Sequence, residues 1–125
     1  MGYEITWIHA SSVIKRHFGN VIGSELMAAV AETESDPRFD TLRYVINDFR
    51  DCVSLTVSTE EIEEISAIDY AAAASNPNIL IAVVATLPDV VAAANAYAND
   101  PLAAYKTRVF SSMDEARLWL GLPAE

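Results

Sequence analysis

The chain has 125 residues, of which 52% are hydrophobic and 21% charged, a balance typical of a folded globular domain. We therefore predict a single domain over residues 1–125. The net charge of −10 disfavours nucleic acid and anionic membrane surfaces as partners. One cysteine allows no intramolecular disulfide, no apolar run is long enough to span a bilayer, and no signal peptide is visible. These features predict a cytoplasmic protein.

The start of the chain is predicted to form a β-hairpin followed by a helix. Residues 3–9 (YEITWIH) alternate large apolar with polar side chains, and residues 12–18 (SVIKRHF) follow a short polar break. Gly19-Asn20 is predicted to turn the chain. Apolar side chains then recur at helical spacing from Ser24 to about Glu34, which predicts the first helix.

The middle of the chain is predicted to contribute two strands and the helix between them. Residues 41–47 (TLRYVIN) are β-branched and aromatic, which favours a third strand. Ser58 and Glu61 have the spacing of a capping box, so the second helix is predicted to start there. Residues 79–85 (ILIAVVA) have no polar position, as expected for a central parallel strand covered on both faces.

The end of the chain adds a helix, a strand and a helix. Pro88 is suited to the first turn of the third helix, residues 107–110 (TRVF) predict a short strand, and Ser112 with Glu115 forms a second capping box. The complete order is ββαβαβαβα. It predicts an α/β fold with a mixed, mainly parallel five-stranded sheet, an N-terminal hairpin and about four helices.

Three stretches carry a resemblance to a known family. They are RYVINDFRD (residues 43–51), ILIAVVA (residues 79–85) and RVFSSMDEARLWLG (residues 108–121). With the element order, they resemble the STAS fold of anti-sigma-factor antagonists and of sulfate-transporter tails, and more closely the bacterial STAS-like group of small stand-alone proteins. The resemblance covers nearly the whole chain. It implies a single STAS-like domain with a regulatory, protein-interacting role, and it implies no catalytic residue.

One position departs from that family. In anti-sigma-factor antagonists, a serine in an Asp-Ser-Ser/Thr-Gly context is phosphorylated at the start of the helix that follows the third strand. The matching stretch here is VSTEEIEE, in which Ser58 lacks the following Ser/Thr-Gly and precedes Glu60 and Glu61. These carboxylates would repel a phosphate. We therefore predict that Ser58 is a structural helix cap rather than a phosphorylation switch.

The stretch VINDFRDC concentrates unlike polar side chains at the predicted end of strand three, the edge where open α/β sheets place their binding crevices. Asp48, Arg50 and Asp51 could contact a partner, brace a loop, or form a solvated strand end. We select these three residues and Ser58 as the candidate partner surface. Cys52 could act as a nucleophile only beside a base or in a cationic setting that lowers its pKa. The neighbouring aspartates would raise this pKa, so a catalytic role is disfavoured.

Three functions remain open from the sequence. The first is a non-enzymatic protein-interaction module, with a protein partner and possibly a homodimer. The second is a carrier of a small apolar ligand or lipid, because STAS-like folds resemble the core of CRAL-TRIO lipid binders, and this needs an interior cavity. The third is a hydrolase that uses Asp48 and Cys52. His9 and His17 have no metal-binding spacing and no glycine-rich loop is present, so neither metal nor cofactor is predicted.

Overall fold

Five strands and four α-helices alternate in the predicted order. The computed structural model describes residues 2–9 and 11–124. The elements are β1 (Tyr3–Ile8), β2 (Ser12–Ile22), α1 (Gly23–Glu34), a 3-10 turn (Pro37–Thr41), β3 (Tyr44–Thr56), α2 (Thr59–Ala72), β4 (Leu80–Val84), α3 (Pro88–Ala98), β5 (Lys106–Phe110) and α4 (Met113–Leu120). The prediction of an α/β fold with the order ββαβαβαβα is confirmed.

The strands lie in the sheet in the order β1-β2-β3-β4-β5. β1 and β2 pair as an antiparallel hairpin, and the other neighbours pair in parallel. β4, the uniformly apolar strand, has a neighbour on each side and is buried from Ile81 to Val84, as predicted. The middle strand of the sheet, however, is β3, because the hairpin adds two strands on one side of it.

The prediction of a turn at Gly19-Asn20 was wrong. β2 continues through these residues to Ile22, and Gly19 has a φ of +73°, a left-handed conformation that glycine adopts without strain. The register between β2 and β3 shifts beside Gly19: Gly19 pairs with Cys52, whereas the next residue, Asn20, pairs with Ser54. Gly19 therefore lies at a β-bulge rather than at a chain reversal.

The helices divide unequally between the two faces of the sheet. α1, α2 and α3 cover one face, where the larger core includes Val13, Val45 and Val83. α4 alone covers part of the other face, with Ile46 and Ala82 in a smaller core. No helix of the described residues is both long and apolar enough to cross a membrane.

Candidate functional site

The predicted cluster of Asp48, Arg50 and Asp51 lies inside a strand and not at its end. β3 runs eight residues past Asp48, to Thr56, whereas its pairing with β4 stops at Asp48 opposite Val84. Beyond that point β3 pairs with β2 alone. We call this extension, residues 18–22 of β2 and 49–56 of β3, the β2–β3 ribbon.

Asp48 and Arg50 form a bidentate ion pair. Asp48 is 4% exposed, and its two carboxylate oxygens accept from Arg50 Nε at 3.0 Å and Nη2 at 2.9 Å. The Arg50 backbone N–H also donates to Asp48 Oδ1 at 3.0 Å. Burial opposes the charge on Asp48, but these hydrogen bonds outweigh it and lower the pKa of the carboxyl. The bidentate pair holds the strand where its register with β2 shifts.

Asp51 pairs with a residue that the sequence did not single out. Arg16 of β2 donates from Nε to Asp51 Oδ2 at 3.0 Å, and its guanidinium lies over the ring of Phe18, 4.6 Å from the centroid. Arg16 pairs with Asp48 and Phe18 pairs with Asp51, so β3 has one residue more than β2 between these two pairs. This bulge brings both aspartates to one side of the sheet. The three predicted residues thus form two ion pairs, Asp48–Arg50 and Arg16–Asp51, where the β2–β3 ribbon begins.

Among the residues that the structure describes, no base forms a hydrogen bond with the Cys52 thiol. The thiol is half-buried, donates to the backbone oxygen of Ser54 at 3.3 Å, and packs against the larger core. Burial raises the pKa of the thiol, which disfavours the reactive thiolate. His17 instead stacks on Phe49, with ring centroids 4.5 Å apart. Nor do the described residues include a cluster of His, Cys, Asp and Glu side chains able to hold a metal ion.

Ser58 caps α2 as predicted. Its hydroxyl accepts from the Glu61 backbone N–H at 3.1 Å, and the Glu61 carboxylate accepts from the Ser58 backbone N–H at 2.9 Å. We expect Ser58→Ala to lower the free energy of unfolding by about 1 kcal/mol, because it leaves the Glu61 backbone N–H without its acceptor. Ser58→Asp should change it by less than about half of that, since aspartate caps equally well.

Chemical denaturation of the wild type and the two variants measures both effects. Ser112→Ala is a matched control, because Ser112 caps α4 through the same hydrogen bond to the backbone N–H of Glu115. Equal destabilisation by Ser58→Ala and Ser58→Asp would contradict the role of Ser58 as a cap.

The most unusual feature of the structure was not found from the sequence. A partly open cavity of about 120 Å³ lies between the sheet and the three helices that cover it. Its walls are mainly apolar, with Ile65 of α2, Val90 of α3 and Val83 of β4 among them. The structure therefore has the cavity that a ligand carrier needs.

A lysine lines this cavity. Lys15 of β2 is only 7% exposed, and its ammonium makes no hydrogen bond or ion pair with any described residue. Burial lowers the pKa of Lys15, and the nearby carboxyl groups of Asp69 and then Glu34 oppose this effect. Lysine is almost never buried without a partner, which makes Lys15 a candidate functional residue.

Three helices meet in a polar cluster beside the cavity. Asp69 of α2 accepts a short hydrogen bond from the Tyr97 hydroxyl of α3 and another from the carboxyl of Glu34, the last residue of α1. Burial, reinforced by the neighbouring Asp69, raises the pKa of Glu34 to about 9, so Glu34 is protonated at neutral pH.

The protonation of Glu34 predicts how stability depends on pH. Unfolded chains release this proton near pH 4.5, whereas the folded protein keeps it to about pH 9. The folded state therefore binds more protons between these values, and the free energy of unfolding should fall as pH rises through this window. Because Glu34 is only half-buried, we expect a decrease of about 2 kcal/mol rather than the full value of the shift.

Glu34→Gln isolates this effect, since glutamine keeps a donor toward Asp69 and does not titrate. Urea unfolding of both proteins at intervals from pH 5 to pH 9 should give a flatter profile for the variant. His17, whose pKa burial lowers to about 4, destabilises the fold as pH falls below 6.5, and it does so equally in both proteins. Parallel pH profiles for the wild type and Glu34→Gln would exclude a protonated Glu34.

Comparisons with known proteins find matches to the fold but none to the sequence. No protein-family model and no curated protein sequence matches the chain. The solved structure of the anti-sigma factor antagonist SpoIIAA in its unphosphorylated form matches with a TM-score of 0.60 and 8% identity, over 95% of this chain and 96% of that one. SpoIIAA of Bacillus in its phosphorylated form matches with a TM-score of 0.53 and 11% identity, over 94% and 98%.

A third structure, an uncharacterised protein of the DUF3478 family from Shewanella loihica PV-4, is described as having a SpoIIAA-like fold. It matches with a TM-score of 0.52 and 11% identity, over 94% of this chain and 91% of that one. Identities this low establish the fold and leave the function to be argued from the site. The resemblance predicted from the sequence is confirmed at this level: the chain has the STAS-like fold of the anti-sigma factor antagonist SpoIIAA.

Proposed function

We propose that this protein is a non-enzymatic regulatory module that binds a protein partner through the β2–β3 ribbon. The observation that carries the proposal is Val53, which is 70% exposed at the middle of the β3 half of the ribbon. A large apolar side chain so exposed, with the Asp48–Arg50 and Arg16–Asp51 ion pairs preceding it, has the composition of an interface with an apolar centre and a polar rim.

Two further points support this proposal. The SpoIIAA structures with the same fold belong to a protein described as an anti-sigma factor antagonist. In addition, Asp48, Arg50 and Asp51 lie on β3, and Ser58 follows the end of that strand by two residues. The candidate partner surface is therefore continuous along one strand and its exit. With a net charge of −10, the chain favours a partner whose contact surface is basic.

A charge introduced at the exposed apolar position tests this function. Tagged wild type and Val53→Asp are used to recover partners from cells of the source organism, with quantitative mass spectrometry. Leu118→Asp is the matched control, since Leu118 is 82% exposed on α4, outside the ribbon. We expect a partner that wild type and Leu118→Asp both recover and that Val53→Asp loses, while all three proteins keep the same melting temperature. Equal recovery by all three would contradict a role for the ribbon.

A second function, binding of a small apolar ligand, is favoured by the cavity beneath α1, α2 and α3. The cavity is mainly apolar, partly open and in contact with the buried Lys15, an arrangement typical of small-molecule sites. The two functions are compatible, because the ribbon carries Phe49 and Leu55, which also line the cavity. Ligand binding in the cavity would therefore act directly on residues of the proposed interaction surface.

A further inference from the structure

Two buried hydrogen-bond donors without a protein partner belong to residues that line a second, smaller cavity. This cavity has a volume of about 40 Å³ and lies beside the smaller core, at the end of the sheet where β2 and β3 begin. Ser12, the first residue of β2, is 5% exposed and lines it together with Arg117 of α4. Among the described residues, neither the Ser12 hydroxyl nor Arg117 Nε has a hydrogen-bond partner. Buried polar atoms without a partner are rare in folded proteins, so this pair indicates a binding site.

The chemical character of the two donors determines what can fill the cavity. Arg117 Nε can only donate, and the guanidinium keeps its charge at every pH at which proteins fold. This guanidinium donates from Nη1 to the backbone oxygen of Pro123 at 3.0 Å, and it has no ion pair with a described residue. No carboxylate of the described residues lines the cavity. A water molecule could accept from both donors, but only an anion would also balance the partly buried charge.

The volume of the cavity limits this anion to a small one. A cavity of about 150 Å³ holds benzene, which has six non-hydrogen atoms, so a cavity of about 40 Å³ suits about one to three. Chloride and formate are within this limit, and formate has the carboxylate group that a larger molecule could insert. Phosphate, with its five non-hydrogen atoms, exceeds the limit.

We propose that the smaller cavity binds a compact monovalent anion, a halide or a carboxylate group, which accepts hydrogen bonds from the Ser12 hydroxyl and Arg117 Nε. The anion then connects three parts of the fold, because Ser12 begins β2, Arg117 lies on α4, and the same guanidinium holds the chain at Pro123. The site shares no residue with the β2–β3 ribbon or with the lining of the larger cavity. It is therefore independent of both functions proposed above.

Anion titrations followed by NMR test this site. Sodium chloride, sodium formate and sodium phosphate are added at pH 7, and a sodium salt of a bulky sulfonate keeps the ionic strength constant. The backbone amide signals of Ser12 and Leu122, two residues of the cavity wall, report binding. The proteins are wild type, Ser12→Ala, Arg117→Met and Arg108→Met. Arg108→Met is the matched control, because it removes the same charge from an exposed arginine outside the cavity.

We expect chloride and formate to cause saturable shifts of both signals in wild type and in Arg108→Met, and phosphate to cause none. Arg117→Met should weaken binding at least about 10-fold, because it removes the charged donor. Ser12→Ala, which leaves the contact of Arg117 with Pro123 in place, should weaken it about 5-fold.

The relative affinities of the two small anions identify the natural ligand. Tighter binding of formate supports a carboxylate group, and tighter binding of chloride supports a halide. Unchanged affinity in both Ser12→Ala and Arg117→Met would overturn the proposal, and so would binding of phosphate as tight as that of chloride. Shifts that remain linear for every anion would also overturn it, since water would then be the only partner of the two donors.

Discussion

Lys15→Met is expected to stabilise the protein by about 1 to 3 kcal/mol, although it removes a side chain from the interior. Lys15 is 7% exposed among mainly apolar side chains, has no ion pair among the described residues, and loses most of its hydration on folding. Methionine has nearly the same length and no charge, so it fills the same space without that cost. Asp69 keeps its hydrogen bonds from Tyr97 and Glu34 in the variant.

Denaturant unfolding of wild type, Lys15→Met and Lys106→Met at pH 7 measures this difference. Lys106 is exposed on β5, so its replacement should change the free energy of unfolding by less than about 0.5 kcal/mol. A gain in stability at a residue that lines a cavity is typical of positions kept for function. A Lys15→Met protein less stable than wild type would contradict the description of Lys15 as an unpaired buried charge.

Asn76→Asp is expected to destabilise the protein by about 3 to 5 kcal/mol, enough to unfold much of it. Asn76 is 2% exposed, and its side-chain Nδ2 donates to the backbone oxygens of Phe39 at 2.7 Å and Leu42 at 2.8 Å. Aspartate has no N–H to donate and would place a carboxylate oxygen against these two carbonyl oxygens. The segment that leads into β3 would then lose its connection to the end of α2.

The matched control is Asn78→Asp, two residues further on and exposed, for which we expect a change below about 0.5 kcal/mol. Circular dichroism melting curves of the three proteins are sufficient for this comparison. If Asn76→Asp and Asn78→Asp melted at the same temperature, the hydrogen bonds of Asn76 to Phe39 and Leu42 would not be important for stability.

Local patterns in the sequence determined the order of the elements. The alternation in residues 3–9, the uniformly apolar residues 79–85 and the cap at Ser58 each depend on a few neighbouring side chains, and all three are confirmed. The end of β3 could not be predicted this way. Asp48 and Asp51 have low strand propensity, and pairing with neighbouring strands holds them in an extended conformation. Asp48 pairs with Arg16 of β2 and Val84 of β4, and Asp51 pairs with Phe18 of β2.

Only the tertiary structure shows where the cavity lies and which side chains line it. Val13, Lys15 and His17 occupy every second position along β2, so all three side chains point to one face. The sequence does not state whether that face is covered at Lys15, because the covering helices are distant in the chain. Burial of Lys15 results from α1, α2 and α3 packing over β2 and β3, and the same packing leaves the cavity that Lys15 lines. Strand alternation thus determined the direction of Lys15, and long-range helix packing determined that it is buried.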